Sequence, residues 1–141
     1  MIDFLIDKNP DEALKSIEKV KRYAKNNLEW RYSEAFLYFW KENYQRALKI
    51  CQNIKNQTYS NEKITLAKVR QFNLDLINRG TPKGQLYFWI GYLSYFKDKN
   101  LENALQDFEK FEELANDNMT MLKQRSSAYL REIKQKINTQ V

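Results

Sequence analysis

Histidine is absent from the chain, cysteine occurs once, proline twice and glycine three times. Each shortage closes a class of function. Without histidine there is no common general base, no neutral imidazole ligand, and no Ser-His or Cys-His nucleophile. A lone cysteine, Cys51, makes neither an internal disulfide nor a thiolate metal cluster. Average usage of about 12% for glycine and proline together would supply about 17 such residues in a chain of this length. Five glycines and prolines cannot build the many tight turns of a sandwich or barrel, nor a glycine-rich phosphate loop. No apolar run approaches the ~20 residues that span a bilayer, and Met1-Ile2-Asp3-Phe4 lacks a basic stretch followed by an apolar one. The expected setting is a reducing cytoplasm, with no cofactor, no metal and no membrane partner.

What is present is apolar material and lysine. The 141 residues are 43% hydrophobic and 14% aromatic, enough for one core and one domain. Lysine and arginine number 24 against 18 acids, a formal charge of +6. The excess is not one block: residues 8–26 hold six bases and three acids, 117–141 five and two, but 83–113 four and six. A moderate net charge of this kind serves solubility as well as anion binding.

The periodicity is helical throughout. Asn9-Pro10-Asp11-Glu12 reads as a helix start, with Asn9 as cap, proline at the first helical position and acids facing the dipole. Leu14, Ile17, Val20 and Ala24 then share a face as far as about Asn26. A second helix begins near Leu28 and carries Trp30, Phe36, Leu37, Phe39 and Trp40. Lys41-Glu42-Asn43 breaks it before a third with Tyr44, Ala47, Leu48, Cys51 and Ile54. Ser60 or Asn61 caps a fourth, Glu62 to Arg79, which Gly80 stops. Thr81-Pro82 opens an aromatic fifth helix, a sixth runs from Leu101 to about Ala115, and a seventh from Asn116-Asp117 to the late 130s.

Internal repetition organises these helices. Pro10-Asp11-Glu12-Ala13-Leu14-x-x-Ile17-x-x-Val20 matches Tyr44-Gln45-Arg46-Ala47-Leu48-x-x-Cys51-x-x-Ile54 and Leu101-Glu102-Asn103-Ala104-Leu105-x-x-Phe108-x-x-Phe111. A small alanine where two helices cross lets the backbones approach, and the large residues beyond it fill the groove. The spacing from Ala13 to Ala47 is 34 residues and from Ala47 to Ala104 is 57, so one helix is inserted before the last unit.

In this pattern the chain resembles the tetratricopeptide repeat family. The family pattern W-x2-L-G-x2-Y…A-x3-F is echoed by Tyr87-x2-Ile90-Gly91-x3-Tyr95…Ala104-x3-Phe108, with one extra residue in the turn at Lys97 to Asn100. The middle unit has Ala35, Tyr38, Tyr44 and Ala47, but Arg31 stands where an aromatic is expected. The closing proline is missing, with Tyr59 and Asn116 in its places. The resemblance implies an all-α, right-handed stack of antiparallel helix pairs, about seven helices in one domain. Its parts are a half unit 1–26, a unit 28–56, an inserted helix 61–79, a unit 82–115 and a capping helix 117–138. In this register Met1 falls inside the first helix of the half unit, which a longer array or a homodimer would complete.

The resemblance further implies a non-catalytic scaffold or adaptor that binds a protein or peptide on the concave face of each unit's first helix. On this chain that face comprises Tyr32, Phe36, Phe39 and Trp40, then Phe88, Trp89, Tyr92, Tyr95 and Phe96. Large aromatics with polar tips suit binding hot spots, and an apolar peptide or partner helix fits such a groove. The same aromatics also read as core under the fourth or seventh helix, which would leave two or three of the nine exposed. Chaperone-binding members of the family hold a terminal carboxylate with Lys, Arg and Asn, and aromatics in those places argue against that role. The alternative is a nucleic-acid-associated or regulatory binding protein using basic faces of the first and last helices, with Lys123, Arg125, Arg131 and Lys134 as anion-binding residues. Lys15, Lys19 and Arg22 with Glu18 read as a mixed solvated face, Glu109, Glu112 and Glu113 as surface charge, and Cys51 as buried and inert. No nucleophile, base and orienter assemble into an enzyme.

Overall fold

The computed structural model describes residues 9–23, 29–58, 61–80 and 83–139. All regular elements among them are helices: α1 Pro10–Tyr23, α2 Glu29–Trp40, α3 Tyr44–Asn56, α4 Glu62–Asn78, α5 Gly84–Phe96, α6 Leu101–Leu114 and α7 Thr120–Thr139. A single 3-10 turn, Asp117–Met119, leads into α7, so the last helix starts three residues later than its sequence suggests. The expected Leu28 helix start, the Ser60 cap, the Thr81-Pro82 start and the placement of Ala24 lie outside the described residues.

The chain divides into two compact units, residues 1–65 and 66–141, and the division falls within α4. In the first unit α2 and α3 form a hairpin and α1 packs on α2. Its core holds Ala13 and Ile17 of α1, Tyr32, Ala35, Phe36, Leu37 and Phe39 of α2, and Ala47, Leu48, Cys51 and Ile54 of α3. Val20 departs from the expected buried face and is 43% exposed. Cys51 is wholly buried, as its repeat position implies. In the second unit α5 and α6 form the equivalent hairpin, and α7 packs along α6 and touches α5.

The repeat has a backbone counterpart that residue spacing alone did not expose. The carbonyls of Asn9, Asn43 and Asn100 each accept from the amide of an alanine four residues on: Ala13 at 3.1 Å, Ala47 at 3.1 Å and Ala104 at 3.0 Å. All three alanines have no exposed surface. The asparagine side chains accept from the free amides of the first turn, from Asp11 at 3.0 Å, Arg46 at 3.3 Å and Asn103 at 3.0 Å. Two of the caps follow a left-handed residue, Glu42 (φ 64°) and Lys99 (φ 54°), where the preceding helix ends. Lys41 N–H closes on Leu37 and Lys97 N–H on Leu93 in the same manner, so the two hairpin turns are built alike despite the extra residue in the second. Replacing Asn100 with alanine should lower stability by about 1 kcal/mol, and Asn43→Ala, whose cap bond is longer, by less. Urea denaturation of the two variants, alone and combined, measures both effects.

Gly91 shows why a small residue is required on α5. A Cβ there would meet Asp107 Cβ and Phe108 Cε1 at 3.1 Å, so α5 and α6 approach so closely that a methyl group would require α6 to give by a few tenths of an ångström. Gly80, at φ 89°, ends α4 as expected.

Candidate functional site

The aromatic face expected as a groove is core in the structure. Tyr32, Phe36, Phe39, Phe88, Trp89, Tyr92 and Tyr95 are buried, and Trp40 and Phe96 are half-buried, so none of the nine is fully exposed. In the second unit the cause is α7. Tyr129 stands over the rings of Phe96 (5.2 Å between centroids), Phe108 (5.4 Å), Tyr95 (5.8 Å), Tyr92 (6.2 Å) and Phe88 (6.4 Å). Phe88 also meets Phe108 and Phe111 edge-on at 5.6 and 5.4 Å. Lys136 pins the end of α7 by donating to Tyr95 Oη at 3.0 Å, with its ammonium 4.7 Å from the ring centroid.

The basic residues of α7 do not form one surface. Lys123, Arg131 and Lys134 share a stripe by helical spacing, but Arg125, two residues from Lys123, lies on the other flank. Acids also interleave with the stripe. Asp117 lies 3.9 Å from Lys123, and Glu112 accepts from Ser126 (3.4 Å) and Ser127 (3.2 Å). Glu109 and Glu113 are exposed on α6 as expected. Ser94 and Asp107 are hydrogen-bonded at 3.2 Å and both are held by Arg70, but both are buried. The cluster ties α4 to the α5–α6 hairpin.

A different face gathers half-buried aromatics and cations, on the α2–α3 hairpin of the first unit. Trp30, Glu34 and Tyr38 recur every four residues on α2, and Arg46, Ile50 and Asn53 line the facing side of α3. Two arginines lie against two rings: Arg31 Cζ is 5.1 Å from the Trp30 centroid and Arg46 Cζ 5.7 Å from that of Tyr38. Arg31 also donates to Gln57 Oε1. Lys21 of α1 completes the arrangement, its ammonium 5.1 Å from the Trp30 centroid. Lys21, Trp30, Arg31, Glu34, Ile50 and Asn53 enclose an open cleft of about 410 Å³.

The charges in this cleft are unequally satisfied. Lys21 Nζ donates to the buried Glu34 carboxylate at 2.5 Å and to Glu18 at 3.1 Å. Burial acts to lower the lysine pKa, but the two carboxylates outweigh it and hold the ammonium above its usual range. Among the described residues no acid pairs with Arg31 or Arg46. Trp30 Nε1 is buried and has no acceptor there. Nearby in the same unit, burial and then the charge of Glu42 push the Tyr44 phenol up to about 12.

No protein-family model, curated protein or solved structure matches the chain. The residues alone therefore carry the functional reading. No helix among the described residues is long and apolar enough to cross a membrane. The α2–α3 face was missed because its parts are scattered: Trp30 read as one more helix aromatic, Tyr38 as a repeat match, and Arg46 as repeat filler. Its one sequence signal was Arg31, standing where the repeat pattern expects an aromatic.

Proposed function

We propose that the chain is a non-catalytic protein-interaction module, built of helix hairpins of tetratricopeptide type, that docks a partner protein on the α2–α3 face of its first unit. The observation that carries this is the pair of arginines laid on Trp30 and Tyr38 beside an open cleft. Trp, Tyr and Arg are the residues that dominate binding energy at protein interfaces. Stacking on a ring restricts each guanidinium before a partner arrives, which reduces the entropy lost on binding. The repeated asparagine cap with its buried alanine supports the helix-pair architecture, since it sets the same helix entry at three places along the chain. The aromatic face of α5 serves the hairpin's own packing in this reading.

Photo-cross-linking in the native cells tests it. With a benzophenone amino acid in place of Tyr38 or Asn53, a discrete covalent adduct with one protein is expected. The same label at Gln124, exposed on α7, should give no such adduct. Adducts from Gln124 with none from the α2–α3 positions would reject this face as the docking surface.

A further inference from the structure

α1 is fastened to the α2–α3 hairpin differently from the helices whose pattern it repeats. The repeat puts three inward residues on each second helix, Ala47, Cys51 and Ile54 on α3 and Ala104, Phe108 and Phe111 on α6, and none of these is more than 3% exposed. On α1 the first two, Ala13 and Ile17, are buried, but the third, Val20, is 43% exposed and Tyr23 beyond it 90%. Ala13 and Ile17 are the only buried residues among the fourteen of α1. Lys21, next to Val20, supplies the missing anchor by pairing with the buried Glu34 of α2 at 2.5 Å. At the other end of α1, Asp11 pairs with Lys41, just past α2. An ion pair thus stands where α3 and α6 have an apolar contact.

The two kinds of anchor respond differently to opening. A buried apolar side chain loses its transfer free energy when water reaches it. Separated ions regain their hydration, and salt screens their attraction, so the pair holds a helix more weakly than the apolar contact it replaces. Once lifted, a helix of fourteen residues is marginal in water, so undocking and unwinding of α1 are one event. Lys21 is also one wall of the cleft formed with Trp30, Arg31, Glu34, Ile50 and Asn53, its ammonium 5.1 Å from the Trp30 centroid. Lifting α1 removes that wall.

We infer, independently of any docking reading of this face, that α1 is a displaceable strap on the α2–α3 hairpin, latched by the Lys21–Glu34 pair. It opens by local unfolding while the hairpin stays folded, and its opening widens the cleft. The latch is specific to charge. With a neutral residue at position 21, the closed form keeps the buried Glu34 carboxylate without its lysine, whereas the open form solvates it, so the balance moves toward opening.

Native-state hydrogen exchange on the full 15N-labelled chain at neutral pH decides this. In the unaltered chain the α1 amides should exchange at least about tenfold faster than the core amides of α2 and α3, with little dependence on urea. That difference should widen as sodium chloride rises from about 0.05 to about 1 M. Lys21→Met should speed α1 by about tenfold more and leave α2 and α3 unchanged. Lys21→Met combined with Glu34→Leu should restore slow exchange and abolish the salt dependence, because no buried charge remains to be solvated. The indole proton of Trp30, whose nitrogen is buried, should exchange at the α1 rate in every chain. Its signal is assigned by its loss in Trp30→Phe.

Exchange of the α1 amides at the rate of the hairpin core, or with the urea dependence of that core, would overturn the strap. An unchanged α1 rate in Lys21→Met, or a rate in the unaltered chain that ignores salt, would overturn the latch. Should Lys21→Met not fold, the salt series on the unaltered chain answers the same question. If α1 opens locally while the Trp30 indole proton waits for unfolding of the hairpin, α1 does not gate the cleft.

Discussion

Arg70→Ala is expected to lower the unfolding free energy by about 3 to 5 kcal/mol at neutral pH, the range for breaking one side of a buried ion pair. Arg70 of α4 holds Asp107 of α6 through two bonds, 2.7 and 3.1 Å, and donates to Ser94 Oγ of α5 at 2.9 Å. The side chain of Asp107 is only 5% exposed. Without the arginine, a buried carboxylate keeps one hydrogen bond, from Ser94, and no counter-charge. Replacing both partners by apolar residues, Arg70→Met with Asp107→Leu, should recover most of the loss, because desolvation of the ions disappears with the ions.

The pH dependence has a definite sign. Burial raises the Asp107 pKa, and the hydrogen bonds and charge of Arg70, then Ser94, oppose that rise without cancelling it. A carboxyl group raised on folding contributes stability that is fully present below its unfolded pKa and is lost as pH rises through the folded one. In its ionised form the buried Asp107 carboxylate has its counter-charge in Arg70, 2.7 Å away. Removing Arg70 takes away the opposing influence and raises the Asp107 pKa further. The deficit of Arg70→Ala should be largest at neutral pH and shrink as the pH falls and Asp107 protonates. Urea midpoints of the two chains across the acid range measure this, and a constant or growing deficit would show that the pair is not electrostatically coupled.

This network also marks where the sequence stopped being informative. Arg70, Ser94 and Asp107 come from three helices and have no common spacing, so Asp107 read only as part of an acidic stretch. The helices themselves were legible, because the 3.6-residue period, Asn9-Pro10 and Gly80 act within one element. What covers a helix is not a property of that helix. Eleven of the thirteen residues of α5 are buried, including Gln85 and Ser94, so it has almost no polar side. A helix apolar all round belongs inside, and that signal was present in the run from Leu86 to Phe96. Reading it as a groove required one side to stay open, and Tyr129 closes that side from 33 residues beyond Phe96. The candidate site was hidden for the same reason: Arg46 of α3 meets Tyr38 of α2 only through the hairpin turn at Glu42 and Asn43.

Phe88→Ala should destabilise the protein by about 3 to 5 kcal/mol, since it removes a wholly buried ring and leaves a cavity among large neighbours. Phe108 and Phe111 meet that ring edge-on and Tyr129 lies 6.4 Å away, so the hole cannot close by moving one flexible side chain. Tyr129→Ala alone should have a smaller effect, because Tyr129 is half-buried. The two together separate core from groove. If α7 is an integral layer, the double variant will differ from the sum of the single ones by about 0.5 to 1.5 kcal/mol, the coupling of packed aromatic pairs. If α7 only rests on a face meant for a partner, the coupling will be near zero and Phe88→Ala will change partner capture more than stability. Hydrogen exchange of α5 and α6 amides gives the independent reading, with protection falling in Phe88→Ala. Trp30→Ala supplies the contrast: its ring is half-buried and lies against surface cations, so it should leave those amides protected and act on the cross-linking yield at Tyr38.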